Sequence, residues 1–316
     1  MLSCEIVPTA YPENRRFAFT IYDDTDVATL ANVAPVYAAL SARGIRITKT
    51  AWPHRWLGEG SNFRSSETLE DGPYLAFLQK LAQDGFELGW HNATMETSAR
   101  AQTLDAFERH REAFGTYPRV HANHAHNQEN VYWGEDRLDS AILRTVYRRL
   151  NGRPAGHYQG HVPASPYFWG DVCRERIDYV RNLSFHEVNL LRINPTIPYQ
   201  DPSRPYGKWW FSSTDAEDAD AFVARCTPAA LDALEAQGGV CIIATHLGKG
   251  YTIDGLMRPD VTAVFDDLAK RDGWYVPVGT LLDYLRSTRG GPLPRAERRQ
   301  MEWRWAADLL RRRLFG

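Results

Sequence analysis

The chain has 316 residues, of which 43% are hydrophobic and 24% are charged, a composition typical of a globular protein with a large core. Its 37 basic and 39 acidic residues give a formal net charge of −2, which argues against a nucleic-acid partner because nucleic-acid-binding proteins carry a basic excess. The N-terminus has no secretory signal and no apolar run approaches the ~18 residues of a membrane span, so we expect a cytoplasmic protein.

In chain order, the sequence repeats a unit made of a helix, a glycine and a short β-forming run. The first strand is predicted in "RFAFTIY". The glycines of the later units are Gly44, Gly85, Gly115, Gly238–Gly239 and Gly273. A glycine just past a helix readily adopts the left-handed capping conformation. Strands that alternate with helices predict a mostly parallel sheet, here an α/β fold with a distorted (β/α) barrel. The rival is an open doubly wound sheet, but no Gly-x-Gly-x-x-Gly follows the first strand.

Two regions interrupt this rhythm. Residues 151–210 are rich in Gly, Pro and aromatic residues and are predicted to form long loops, with one helix near 171–182 and one strand around 188–193. We predict a catalytic barrel domain over 1–287, followed at 288–316 by a linker and a basic amphipathic helix. That C-terminal helix packs on the barrel, on a second copy in a homo-oligomer, or on an anionic membrane surface, which would make the protein peripheral to the membrane.

Carboxylates and imidazoles follow four of the predicted strands. They are Asp23, Asp24 and Asp26 after the first strand, His91 after the "FELGW" strand, His121, His124 and His126 after the next, and His246 after "VCIIAT". Active residues of (β/α) barrels lie at the carboxyl ends of the strands. One carboxylate and two imidazoles make a three-ligand site for Zn²⁺ or a similar divalent ion. A second carboxylate would serve as general base and a further histidine as general acid.

Three short motifs resemble those of the polysaccharide deacetylases of the NodB type. "FTIYDDTD" resembles their Thr-Phe-Asp-Asp motif, "IIATHLGKG" resembles their closing Leu-x-His strand, and "FELGWHNATM" lies where they place a His-x-x-x-His metal motif. The resemblance covers residues 16–285 and implies a distorted (β/α) barrel that removes acetyl groups from a glycan with a bound metal. It implies that Asp23 is the base, that Asp24 and His91 are metal ligands, and that His246 is the acid.

The sequence departs from the family at the second histidine of the metal motif, where it has Met95. A thioether is a poor ligand for a hard divalent ion. We predict that His124 supplies the missing imidazole, with His121 and His126 as alternates that depend on the phase of the strand. The competing interpretation is a decayed site beside a His-rich surface loop.

The family's Arg-x-Pro-Tyr motif has its nearest likeness at Arg204, in "SRPYG". An arginine there would hold Asp23 ionised and oriented through a bidentate hydrogen bond. The alternative is a turn that carries a surface arginine.

The combined expectation is a metal-dependent carbohydrate N-deacetylase, which cleaves the linear amide C–N bond of an N-acetylated sugar or glycan precursor. One alternative is a non-catalytic glycan-binding protein that kept the barrel and lost the metal at Met95. Another is a hydrolase of the same architecture that acts on a different small amide, such as a cyclic ureide.

Overall fold

Seven parallel strands close into a barrel in the computed structural model, which describes residues 11–59, 61, 63, 65–152 and 154–315. The barrel strands, each paired with the next and the last with the first, are β1 (Phe17–Asp23), β2 (Thr48–Ala51), β3 (Glu87–Trp90), β4 (Val120–His121), β5 (Tyr179–Phe185), β7 (Trp209–Asp215) and β8 (Val240–Thr245). The short strands are β6 (Tyr199–Gln200), β9 (Thr252–Ile253), β10 (Leu256–Met257), β11 (Gly273–Trp274) and β12 (Gly291–Pro292). The predicted (β/α) barrel is therefore confirmed.

Helices surround the barrel and connect its strands. They are α1 (Leu30–Ala42), α2 (Gly72–Gln83), α3 (Arg100–Phe114), α4 (Ala141–Asn151), α5 (Gly170–Arg176), α6 (Ala219–Arg225), α7 (Pro228–Ala236), α8 (Pro259–Lys270), α9 (Val278–Arg289) and α10 (Arg295–Phe315). Short 3-10 helices lie at Pro12–Asn14, Gly134–Arg137 and Leu190–Arg192. Gly115 ends α3 with φ 78°, the left-handed conformation expected of a glycine at this position.

The first strand holds the barrel together and sets the position of its carboxyl end. All seven residues of β1 are buried, and β1 pairs in register with β8 from Ala18 and Val240 to Asp23 and Thr245. Apolar and β-branched residues dominate both strands, as expected for strands buried on both faces. Because the two strands end level with each other, the residues that follow them emerge at the same rim of the barrel.

The region 151–210 differs from its predicted structure. The strand predicted around 188–193 is wrong, because Asn189 accepts a hydrogen bond from the Leu191 N–H and begins a 3-10 turn. The helix predicted near 171–182 ends at Arg176, as α5. The barrel strand β5 begins at Tyr179, so the last residues of the predicted helix are in a strand. The sequence signal was ambiguous here because short apolar runs fit both element types.

The predicted linker at 288–316 is partly structured. Its β12 pairs with β6, and α10 then packs on the barrel through the buried Met301 and Trp305. Arg298 of α10 is also buried and contacts Asp201 and Glu302. Residues 1–10 of the predicted 1–287 domain lie outside the described residues. Within the part of the chain that is described, no helix is both long and apolar enough to cross a membrane.

Candidate metal centre and cleft

Side chains from the ends of four barrel strands meet in one cleft, which has a volume of about 430 Å³. Asp24 and Asp26 follow β1, His91 follows β3, His124 follows β4 and His246 follows β8. The carboxyl rim of a barrel collects side chains from different strands, which is why residues so far apart in sequence become neighbours.

Asp26 lies at the centre of this group. Its Oδ1 is 3.4 Å from His91 Nε2 and 3.5 Å from His124 Nε2, and its Oδ2 is 3.3 Å from His246 Nε2. Asp26, His91 and His124 are buried, and one ligand atom from each lies within 4.8 Å of the other two. The described residues therefore contain a possible Asp/His/His metal site.

The second nitrogen of each imidazole fixes its tautomer. Each Nδ1 faces a carbonyl-type oxygen, which can only accept, so each Nδ1 carries a hydrogen. The pairs are His91 with Ala122 O at 2.9 Å, His124 with Asn127 Oδ1 at 2.9 Å, and His246 with Glu217 O at 2.6 Å. In the neutral rings, three Nε2 lone pairs consequently face the Asp26 carboxylate, an arrangement that requires a cation. Metal-binding histidines are usually oriented in this way.

The distances fit a metal ion better than direct hydrogen bonds. A charge-assisted N–H···O bond is ~2.7–2.9 Å long, shorter than the separations of 3.4 and 3.5 Å between Asp26 and the imidazoles of His91 and His124. Two ligands bound at ~2.1 Å to a tetrahedral ion lie ~3.4 Å apart. Asp26 Oδ1, His91 Nε2 and His124 Nε2 are buried and have no hydrogen-bond partner among the described residues. The residues present therefore fit a divalent ion such as Zn²⁺.

The charges of the cluster reinforce one another in the absence of an ion. Burial raises the pKa of the Asp26 carboxyl, but His124, His246 and His91 outweigh it, so this pKa lies well below its usual range. Burial lowers the pKa values of His124 and His246, but Asp26 raises both above the usual histidine value. These imidazoles therefore bind protons more tightly than an unperturbed histidine does.

Metal affinity is accordingly expected to fall as the pH decreases through neutrality. A metal binds only the deprotonated imidazole, and the raised pKa of His124 means that protons compete at and above the ordinary value of ~6.5. Calorimetric titration of metal-free protein with Zn²⁺, in buffers of different ionisation enthalpy, measures both the affinity and the protons released. An affinity that stays constant across this pH range would contradict the assignment.

A second carboxylate lies beside the cluster. Arg181 of β5 donates from Nη2 to Asp24 Oδ2 at 2.7 Å, and both side chains are buried. Burial raises the pKa of Asp24, but the charges of Arg181 and His91 outweigh it and lower this pKa. Asp24 Oδ1 has no hydrogen-bond partner within the described ranges. Asp24 therefore stays ionised and keeps one oxygen available to accept a proton.

The structure brings His91, His124 and His246 together as predicted but does not bring Asp23 into the cleft. Asp23 Oδ2 is 2.9 Å from Lys49 Nζ and accepts from Tyr37 OH at 2.8 Å, while its Oδ1 accepts from Leu247 N at 2.8 Å. All of these side chains are buried away from the cleft. Asp24 and Asp26, and not Asp23, therefore line the cleft.

The remaining predicted residues lie outside the cluster. Arg204 does not contact Asp23 as predicted; it binds Asp201 and Asp139 and lines a different pocket, and the arginine that contacts an aspartate of the cleft is Arg181, which binds Asp24. His121 is buried outside the cleft, where it contacts Trp90 O, Asn123 and the Trp169 ring, and burial lowers its pKa to about 3. His126 is exposed at the edge of the cleft. Met95 is buried and does not line the cleft.

Aromatic side chains also line the cleft. Trp133 and Trp305 lie on either side of Arg137, whose guanidinium carbon is 4.1 Å and 4.9 Å from the two ring centres. Phe63 and Tyr147 line the same cleft. Trp305 belongs to α10, so the C-terminal helix forms part of the cleft wall.

No protein-family model and no curated protein matches the chain. Among solved structures, it is similar to a probable polysaccharide deacetylase from Pseudomonas aeruginosa PAO1 (12% identity, TM-score 0.48, covering 88% of this chain and 93% of that one). It is also similar to PuuE allantoinase (14% identity, TM-score 0.48, covering 88% of this chain and 93% of that one). A third similar structure is the peptidoglycan deacetylase PdaC from Bacillus subtilis (12% identity, TM-score 0.45, covering 96% of this chain and 100% of that one). At these identities the similarity concerns the fold, and any function has to be argued from the site.

Proposed function

We propose that this protein is a metal-dependent hydrolase that removes an acetyl group from an N-acetylated sugar or glycan precursor. The observation that carries the proposal is the buried Asp26, His91 and His124 cluster, with its unpartnered ligand atoms, next to the Asp24–Arg181 pair. When bound, a zinc or similar ion would lower the pKa of a water molecule and polarise the acyl carbonyl. His124 supplies the ligand that is missing at Met95, which weighs against the non-catalytic alternative.

The protein's own groups can move the two protons that amide hydrolysis requires. The attacking water forms a bond to the carbonyl carbon and gives a proton to Asp24, whose Oδ1 has no hydrogen-bond partner among the described residues and lies 3.4 Å from His91 Nδ1, and whose charge Arg181 maintains. The carbon–nitrogen bond then breaks, and His246 donates a proton from Nε2 to the departing amine. Its Nδ1 donates to Glu217 O at 2.6 Å, which holds the ring in place and directs Nε2 toward Asp26.

The lining of the cleft favours a carbohydrate as the substrate. The rings of Trp133, Tyr147 and Trp305 offer flat apolar surfaces, and Lys249 and Glu217 offer polar groups nearby. Sugars bind to such a combination because their C–H faces stack on aromatic rings while their hydroxyls form hydrogen bonds.

Acetate release tests the proposal directly. The full chain is incubated with N-acetyl sugars, nucleotide sugars and small amides, with EDTA and without it. We expect acetate from an N-acetyl sugar, its loss with EDTA and its recovery on addition of Zn²⁺. If the protein hydrolyses only small amides, the proposed substrate class is wrong, but the proposed metal-dependent hydrolysis stands. Sugar binding unaffected by EDTA, without acetate release, would support the non-catalytic alternative.

Replacing His246 with alanine is expected to slow amide hydrolysis by about 10²- to 10⁴-fold, the usual contribution of a general acid. An aryl acetate ester provides the control, because its phenolate leaves without needing a proton. The same variant should therefore lose much less activity on the ester than on the amide. Equal losses on both substrates, or loss of the bound metal, would contradict the role of His246 as the acid.

A further inference from the structure

Helix α4 exposes an apolar stripe. Ile142, Val146 and Leu150 are spaced four residues apart, which places them on one face of the helix, and they are 67%, 46% and 44% exposed. Leu143 and Tyr147, on the other side, belong to the hydrophobic cluster that includes α10. Single exposed apolar residues are common on protein surfaces, but an aligned stripe indicates a surface that contacts something apolar.

Helices α4 and α10 form one unit, which we call the helical layer. Glu302 of α10 accepts hydrogen bonds from the backbone N–H groups of Asp139 and Ser140, at 2.7 and 3.1 Å, at the start of α4. The rings of Tyr147 and Trp305 then meet at 5.5 Å. Because both rings also line the cleft, the helical layer lies directly beside the candidate active site.

The helical layer is strongly basic in a chain that is not. The sequences of α4 and α10 contain ten arginines and three acidic residues, a net charge of +7, whereas the whole chain carries −2. Three of these arginines have acidic partners: Arg144 and Arg148 of α4 pair with Asp136 and Glu135, and the buried Arg298 of α10 pairs with Asp201. Arg149 is exposed next to the apolar stripe.

We propose that the helical layer binds the surface of an anionic phospholipid membrane. An exposed apolar stripe with arginines around it is the composition of an interfacial helix, in which the apolar side chains enter the lipid and the cations remain at the headgroups. A second copy of the chain is disfavoured as the occupant, because it would bring two basic layers into contact. The proposal goes beyond the hydrolase activity and does not depend on it.

Vesicle sedimentation with the full chain tests this binding without any turnover. The probes are vesicles of phosphatidylcholine with phosphatidylglycerol and vesicles of phosphatidylcholine alone. We expect binding to the anionic vesicles only, weakened by added salt. The double change Ile142→Ser and Val146→Ser should weaken it by about tenfold or more, because it removes apolar side chains from the lipid. Replacing Arg149 with Ser should also weaken it, because it removes a cation from the headgroups.

A matched control uses two exposed apolar residues on the β9–β10 hairpin, Ile253 and Leu256, which are 61% and 73% exposed. Changing both to serine should leave vesicle binding unchanged, and circular dichroism should show that both double variants are folded. Equal loss in the two variants, or equal binding of the wild type to neutral and anionic vesicles, would overturn the proposal. Dimerisation in analytical ultracentrifugation that is lost with Ile142→Ser and Val146→Ser would instead assign the stripe to a second copy.

Discussion

Replacing His124 with alanine is expected to remove the bound metal ion and, with it, the hydrolase activity. The change takes one of three ligands from a cluster whose members face one another across 3.4 to 3.5 Å. Loss of an outer partner of a metal ligand already costs about 10- to 100-fold in affinity, so loss of a ligand should cost more. Metal content by mass spectrometry and acetate release, measured on the same preparation, should fall together.

His126 provides a matched control for this experiment, two residues further along the same loop. It lines the same cleft but is exposed, and it is not part of the buried cluster. His126→Ala should keep the metal and most of the activity. If His124→Ala retains a stoichiometric ion, or if His126→Ala loses it, the assignment of His124 is wrong.

Replacing Asp23 with asparagine is expected to lower the free energy of unfolding by about 3–5 kcal/mol, the usual effect of removing one partner of a buried ion pair. Lys49 would keep its ammonium group in a fully buried position without the carboxylate 2.9 Å away. Burial lowers the pKa of Lys49, but Asp23 and Tyr74 together outweigh burial and raise this pKa, so Lys49 keeps its charge. Urea unfolding followed by circular dichroism measures the change.

Two outcomes separate this structural role from the catalytic role that the sequence predicted for Asp23. A double variant, Asp23→Asn with Lys49→Met, removes both charges and should recover much of the lost stability. If Asp23→Asn instead leaves stability unchanged and abolishes acetate release, then Asp23 is the base after all and the Asp24 assignment fails.

The barrel could be predicted because its signals are local. The strand in "RFAFTIY" and the strand that ends at Thr245 are apolar runs bounded by polar residues, and a glycine between helix and strand marks each repeat. The rule that barrel residues act at the carboxyl rim then led to His91, His124 and His246. The region 151–210 lacked these signals, because its glycines and prolines lie between elements of irregular length.

Which of the three aspartates line the cleft depends on the direction in which each side chain points. Neighbouring residues at the end of a strand face opposite sides, so Asp24 lies in the cleft while Asp23 faces away from it, and Asp26 reaches the cleft from the turn that follows β1. The phase of this alternation is fixed by the register with β2, where Asp23 lies opposite Lys49. Lys49 was the available signal, since a lysine inside a β-forming run requires a buried partner.

The two arginines show where a short motif misleads. Arg204 was only the nearest likeness to a four-residue pattern, one residue short of it. Its partners include Asp139, 65 positions away, and a local pattern carries no information about that contact. Arg181 has no motif around it and gains its role only because β5 closes next to β4 in the barrel. An inward-facing arginine in "YVRNLSF" was nevertheless a signal, because charged side chains are seldom buried without a counter-charge.

The imidazoles of His91 and His124 are held by oxygen atoms of the protein. Because Ala122 O and Asn127 Oδ1 orient the two rings through the protein's own bonds, these ligands do not depend on an ion for their positions. A rigid set of nitrogen and oxygen donors binds late first-row metals in the general order of the Irving–Williams series, with copper above zinc. The element that occupies the freshly isolated protein will thus depend on which metals the cell leaves accessible during synthesis.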